Sequence, residues 1–293
     1  MLAVIGTVPD TDFPLALGEP ELQGERLAVA GHTCSLNRGT AALLAAAVKT
    51  AQTLSHPRPW AYLIGDIGLG DGSRKLYKHL SRHLGETDFS TLCFHYLMPD
   101  VDWHNKVLFA VQAMIARPLL IADAGFMYAA KMSGQAAEYD LFTPDVGELA
   151  FLADEKAPHP FYTRGFILQD NNQAPDLMAR AYRYDNAARY LLVKGKVDYV
   201  ADRHGILATV TEPHIAALEA IGGTGDTITG IAAALIDAGM AIPKAALIAA
   251  KANRLAGFYA NPTPATQVAA IIDLIPQALK EALAASLPDN GSN

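Results

Sequence analysis

Residues 222–236 read Gly222-Gly223-Thr224-Gly225-Asp226-Thr227-Ile228-Thr229-Gly230-Ile231-Ala232-Ala233-Ala234-Leu235-Ile236. The glycines at 222, 223 and 225 allow a tight turn and let bare backbone N–H groups approach a ligand closely. The apolar run behind them predicts a helix over 226–237. A helix start offers unpaired amides and the positive end of a dipole, which together seat a phosphate oxyanion. Asp226 at that junction would repel the anion its neighbours are suited to hold. A carboxylate there makes chemical sense if it removes a proton from a hydroxyl that attacks phosphorus. Capping alone would use an Asp readily, but it would not need the run of glycines.

Upstream of this loop, short apolar runs alternate with helical patterns. Strands are expected at 27–30, 61–64, 91–96, 119–122 and 140–142, with helices near 39–54, 73–84, 103–116 and 126–137. That alternation predicts stacked βα units, hence an α/β protein with a mostly parallel central sheet. A second set gives a helix over 174–189, a strand over 190–193 and a hairpin of 199–201 with 206–211. Helices at 243–259 and, broken, 266–284 close the pattern, and 154–172 reads as an irregular excursion. The expected organisation is a single domain over 1–293, with an irregular N-terminal segment at 1–24 and a frayed tail at 287–293.

Composition narrows the function classes. Hydrophobic residues make up 51% of the 293 positions and charged residues 18%, so a large core is available. The net charge is −7, with no basic block suited to a nucleic-acid backbone. A polyanionic small molecule would therefore be met by local amides, a lysine and a metal ion. The N-terminus carries no basic n-region, and no apolar window reaches the ~18 residues of a membrane span. Cys34 and Cys93 have no metal spacing and form no disulfide framework, so a reduced, cytoplasmic setting is expected.

Three further segments bear on chemistry. Gly65-Asp66-Ile67-Gly68-Leu69-Gly70-Asp71-Gly72 lies between a strand and a helix. It is either a ligand-cradling turn or only a sharp corner, and it matches no dinucleotide or P-loop spacing. Leu141-Phe142-Thr143-Pro144-Asp145-Val146-Gly147-Glu148 starts a helix with two acids one turn apart. These could cap the helix or hold a water-bridged Mg²⁺. Lys194-Gly195-Lys196 ends a strand and could offer an ammonium and an amide to a nucleotide phosphate. His32, His95 and His104 fall near strand ends and read as satisfied or exposed histidines rather than catalysts. No His-x-x-Glu-His pair supports zinc, and no Gly-x-Ser-x-Gly elbow supports a hydrolase.

Taken in order, these segments resemble the ribokinase-like superfamily, a three-layer α/β/α fold. Within it they look most like the ATP- or ADP-dependent NAD(P)H-hydrate dehydratases. The resemblance runs from about 26 to 283 and includes Gly39-Thr40-Ala41-Ala42, Ile64-Gly65-Asp66, Ile121-Ala122-Asp123-Ala124, Thr143–Glu148, Val193-Lys194-Gly195 and Gly222–Asp226. It implies Asp226 as catalytic base, with Gly223, Thr224 and Gly225 as the anion hole. It also implies Lys194, Gly195, Lys196, Asp198 and Gly225 beside the nucleotide, and Ala41, Gly70, Asp123 and Asp145 beside the substrate. Glu148 would reach Mg²⁺ through water. The chain departs from the family at Asp145, where a His is usual, and at Ala124-Gly125, where a second acid is usual.

The implied activity transfers a phosphoryl group from ATP or ADP onto the hydroxyl of hydrated NAD(P)H, after which phosphate leaves and NAD(P)H is restored. Asp145 keeps a second expectation open, a small-molecule kinase of the same fold acting on a sugar or vitamin precursor. A non-catalytic nucleotide-binding protein is the third, and the intact Asp226 argues against it. Partners are expected to be a nucleotide and a small substrate, with no nucleic acid or membrane and with homo-oligomers possible in such a family.

Overall fold

The computed structural model describes residues 1–156 and 174–285. The frayed tail and all but the first residues of the irregular excursion lie outside the described residues. In the first half, β1 (Leu2–Val8), β2 (Ala16–Gly18), β3 (Glu21–Gln23), β4 (Arg26–Val29) and β5 (His32–Ser35) precede α1 (Gly39–Thr53). Then come β6 (Trp60–Gly65), α2 (Asp71–His83), β7 (Thr91–His95), α3 (Val101–Gln112), β8 (Leu119–Ala122) and α4 (Ala124–Met132). The second half runs β9 (Leu141–Phe142), α5 (Val146–Ala153), α6 (Ala174–Arg183), β10 (Tyr190–Val193), β11 (Asp198–Asp202) and β12 (Gly205–Val210). It ends on α7 (Thr224–Asp237), α8 (Ile242–Ala260), α9 (Val268–Ile272) and α10 (Ile275–Ala284).

The central sheet has the order β12-β11-β10-β9-β8-β7-β1-β6-β2. Strands β6 through β10 pair in parallel around β1, while β2 and the β11–β12 hairpin add antiparallel edges. The N-terminal segment corrects the sequence expectation. Residues 1–24 are not all irregular: β1 is buried at all seven positions and lies inside the sheet, between β7 and β6. Its run Leu-Ala-Val-Ile-Gly-Thr-Val is what a strand covered on both faces requires. The strand expected at 27–30 forms as β4, but it belongs to a separate three-stranded antiparallel sheet, β3-β4-β5.

Helices cover both faces. Residues of α1, α7, α8, α9 and α10 form one apolar layer, and α2 to α6 form the other. Close approach between α1 and α7 needs small residues. A Cβ on Gly230 would lie 2.1 Å from the carbonyl oxygen of Leu43, so only glycine fits there. Gly6 plays the same part in β1, since a Cβ would meet His95 O at 2.3 Å and Thr40 Oγ1 at 2.5 Å. The starts of α1 and α7 and the end of β7 are thereby drawn to one point at the carboxyl edge of the parallel strands, where open α/β sheets place their ligand sites.

Candidate active site

Gly223 precedes α7 with φ +95°, a left-handed conformation that an L side chain resists. No side chain caps this helix, so the N–H groups of Thr224, Gly225 and Asp226 have no intrahelical partner. The turn is pinned from behind. Thr227 donates its hydroxyl hydrogen to Asn253 Oδ1 at 2.6 Å, and Asn253 Nδ2 donates to Thr224 O at 3.1 Å.

Both oxygens of Asp226 are held. Gly39 N–H, at the head of α1, donates to Oδ2 at 2.6 Å, and His95 Nε2 lies 3.0 Å from Oδ1. A carboxylate only accepts, so the proton is on Nε2, and Nδ1 accepts from the Thr40 hydroxyl at 3.0 Å. Burial pushes the Asp226 carboxyl up. The hydrogen bond from His95, the Lys194 ammonium and the Gly39 amide outweigh it and leave the carboxyl below its ordinary value. His95 is fully buried. The expectation of a satisfied histidine is met, but its partner is the one carboxylate the sequence singles out. Its place at the end of β7, beside the buried strand β1, was the available signal.

Beneath the α7 turn lies a buried ion pair. Lys194 Nζ donates to Asp123 Oδ1 and Oδ2 at 3.0 and 2.8 Å, and Thr229 Oγ1 donates to Asp123 Oδ2 at 2.7 Å. Burial alone would lower the Lys194 ammonium, but the Asp123 and Glu148 carboxylates hold it above its usual range. A Cβ at Gly225 would lie 3.8 Å from Lys194 Nζ, so this ammonium sits directly beside the loop. His95, Asp123 and Asp226 bring three possible metal-ligand atoms within 4.8 Å of one another. Their carboxylates are already engaged by Lys194, Thr229, Gly39 and His95, a donor set that fits a hydrogen-bonded network and not a cation.

The remaining sequence candidates divide between positions near this centre and positions facing inward. Asp145 and Glu148 form a reciprocal capping box at the start of α5: Glu148 N donates to Asp145 Oδ1 at 2.7 Å and Asp145 N to Glu148 Oε2 at 2.8 Å. Burial first, then the Asp123 and Asp145 charges, push the Glu148 carboxyl up to about 8 despite Lys194. A hydrated Mg²⁺ takes oxygen ligands of this kind and would relieve the crowded negative charge, so the pair fits that ion. Gly195 N–H donates to Asp198 Oδ1 at 3.0 Å, and Asp198 Oδ2 accepts from Arg254 Nε at 2.7 Å. Both are thus spent within the protein, and Arg254 also donates to Gly195 O and Lys196 O at 3.0 Å, fixing the turn. Lys196 is exposed. Ala41 is buried in the α1 core layer, and Gly70 caps α2 with φ +84°. The glycine-rich corner after β6 is filled from within: Asp66 accepts from the amides of Gly68, Leu69, Gly70 and Ser73 and from the Ser73 hydroxyl.

Beside Asp226, on the β1/β7 side, opens a cleft of about 300 Å³ lined by Thr7, Pro9, Arg38, Gly39, Asp66, Gly68, Tyr96 and Met98. Tyr96 has a left-handed φ of +52°, and its carbonyl accepts from Thr7 Oγ1 at 2.7 Å. Among the described residues no helix is long and apolar enough to cross a membrane.

Sheet order, layers and the glycine loop at a helix start give the chain a ribokinase-like fold. Solved structures share the fold over 96% of this chain at 12–14% identity. Among them are phosphofructokinase-2 from Escherichia coli with fructose-6-phosphate (TM-score 0.54, 100% of that chain), a ribokinase-like protein from Enterococcus faecalis (0.55, 87%) and a hypothetical protein from Streptococcus mutans (0.58, 90%). Residues 99–277 match the NAD(P)H-hydrate dehydratase family, and the chain belongs to it. An uncharacterized protein of Methanocaldococcus jannaschii is 41% identical over 242 residues, covering 82% of this chain and all of that protein.

Proposed function

We propose that the protein transfers a phosphoryl group from ATP or ADP to the hydroxyl of hydrated NAD(P)H and then releases phosphate, restoring NAD(P)H. The observation that carries this reading is the ionised Asp226 clamped between His95 and Gly39 at the uncapped start of α7. Asp226 accepts the hydroxyl proton as the oxygen–phosphorus bond forms and the bond to the departing nucleotide breaks. The amides of Gly223, Thr224 and Gly225 receive the oxygens of the migrating group, and losing one such donor typically costs about 3 kcal/mol of barrier. Lys194 neutralises charge beside Gly225, and Lys196 borders the nucleotide from the exposed side of the same turn. Asp198 and the Gly195 amide act by shaping that turn. Glu148 would hold Mg²⁺ through water, and the bound ion would offset phosphate charge. Ala41, Gly70, Asp123 and Asp145 belong to the substrate side in this reading, and Asp123 also holds Lys194. The phosphorylated hydrate then loses phosphate, which leaves the ring far more readily than hydroxide.

One observation favours a second reading, a kinase that stops at a phosphorylated small alcohol. Asp145 stands where the family has His, and its carboxylate is committed to capping α5. Incubation with hydrated NADH and Mg-ATP or Mg-ADP separates the two. Return of the reduced-nicotinamide absorbance supports the dehydratase; nucleotide turnover with other alcohols but not with the hydrate supports the kinase.

A further inference from the structure

Away from the Asp226 centre, α2 carries His79-Leu80-Ser81-Arg82-His83, and residues four apart on a helix share a face. The two imidazole rings lie 4.8 Å apart, centroid to centroid, at an interplanar angle of 31°. Each ring has a neighbour that steadies it. His83 Nδ1 is 2.9 Å from Glu86 Oε1. A carboxylate only accepts, so the proton is on Nδ1 and the neutral ring keeps a lone pair on Nε2. His79 is half-buried, with its ring 6.0 Å from that of the buried Tyr62. Burial first, then the charge of His83, hold His79 below its ordinary value despite Glu86, so its ring stays neutral to lower pH. Neutral imidazole is the form that binds metal.

We propose that His79 and His83 chelate one divalent transition-metal ion of the zinc class, with water completing its shell, as a staple on the last turn of α2. The spacing suits such an ion. A metal about 2.1 Å from each nitrogen lies about 3.2 Å from each ring centroid, and a near-tetrahedral angle then sets the centroids about 5 Å apart. The observed separation is close to that, and ring rotation is the only adjustment required. Two imidazoles select zinc, copper or nickel and not magnesium, which takes oxygen ligands. Glu86 occupies the place of the carboxylate that commonly orients a ligating histidine through its other nitrogen. Positive charge in the last turn of a helix is also favoured by the helix dipole. Because the acid follows the second histidine, the segment carries no His-x-x-Glu-His pattern. The 3-10 turn Leu84–Glu86 leads from α2 to the start of β7, whereas His95 and Asp226 meet at the end of that strand. The ion therefore lies at the opposite edge of the sheet from the candidate base, and the proposal is independent of the phosphoryl-transfer reading.

Untagged protein, stripped of metal with a chelator, is titrated with zinc chloride by calorimetry. One ion per chain should bind at this site. His79→Gln and His83→Gln should each weaken that binding by more than about 10-fold, and Glu86→Ala should weaken it by about 10-fold. Excess zinc should raise the thermal midpoint of the wild type and leave that of His83→Gln where it was. His83 is exposed, so without zinc His83→Gln should keep the wild-type midpoint and nucleotide turnover. Copper(II) supplies a second readout. Its paramagnetic resonance should show coupling to two imidazole nitrogens in the wild type and to one in His83→Gln. Absence of zinc binding, zinc affinity unchanged in both histidine variants, or a two-nitrogen copper signal that survives His83→Gln would each overturn the proposal.

Discussion

Asp226 is flanked by more control than a helix cap needs. The amide of Gly39 and the imidazole of His95 occupy one lone pair on each oxygen and hold the carboxylate ionised. Asp226→Asn should lower kcat by on the order of 10²- to 10⁴-fold, the usual share of a positioned base, measured as nucleotide turnover. His95→Leu removes the clamp without touching the acceptor and should lower kcat by roughly 10- to 100-fold with little change in nucleotide KM. The pH profile gives the sign. A group with its native value lowered keeps its charge to lower pH, and activity falls only as pH drops through that value. In His95→Leu the acid limb of kcat should therefore move to higher pH. A limb that stays in place would leave His95 a packing residue. The glycine loop and its acid were legible in the sequence because they are contiguous. The His95 contact was not, because 131 residues separate the partners and an isolated histidine carries no spacing signal.

At the scale of elements, the site depends on how closely α1 and α7 approach. Gly230→Ala would drive a methyl onto Leu43 O, and overpacking of this kind costs about 1–3 kcal/mol. Thermal unfolding should register that loss, and activity should fall with it as the Gly39–Asp226 bond lengthens. The start of α5 shows the opposite balance. Glu148 is pushed up to about 8 from an ordinary 4.5, so its charge opposes folding. Stability from this group is fully present below the unfolded value and is lost as pH rises towards 8. Glu148→Gln keeps a carbonyl for the Asp145 amide and should raise the thermal midpoint at pH 8 relative to wild type, while leaving it almost unchanged at pH 4. A midpoint that falls at pH 8 would mean the carboxylate is stabilising as it stands. Most helices here were readable from their periodicity; α3 and α4 start two residues before the expected positions, where Asp100 and Asp123 cap them, and α6 ends six residues early.

The whole molecule is a sheet between two apolar layers, with α1 and α7 to α10 on one side and α2 to α6 on the other. If the described residues fold as the single domain that the sequence suggests, the layers should melt together. Leu235→Ala in one layer and Phe126→Ala in the other each remove a fully buried side chain, at a cost of about 2–5 kcal/mol. Each should shift one shared urea transition seen by fluorescence and circular dichroism. Two transitions moving separately would divide the chain into two units. At this scale the sequence was legible in class but not in placement. The βα alternation indicated a parallel sheet, yet the N-terminal run was read as part of an irregular segment and is the interior strand β1, between β7 and β6. A short apolar stretch has no period by which to choose its neighbours.

The sequence by itself determined the local chemistry: a glycine-rich helix start with an acid in its first turn, a lysine ending a strand, and the alternation that makes an α/β sheet. These are properties of contiguous residues, written in backbone freedom, capping and periodicity. Tertiary structure alone decided which groups meet. It set His95 and Gly39 on Asp226, buried Lys194 against Asp123, turned Asp198 inward to Arg254, and left Arg38 exposed and without a partner among the described residues at the cleft. Those choices follow from strand order and helix approach, which bring distant residues together at distances that spacing along the chain does not encode.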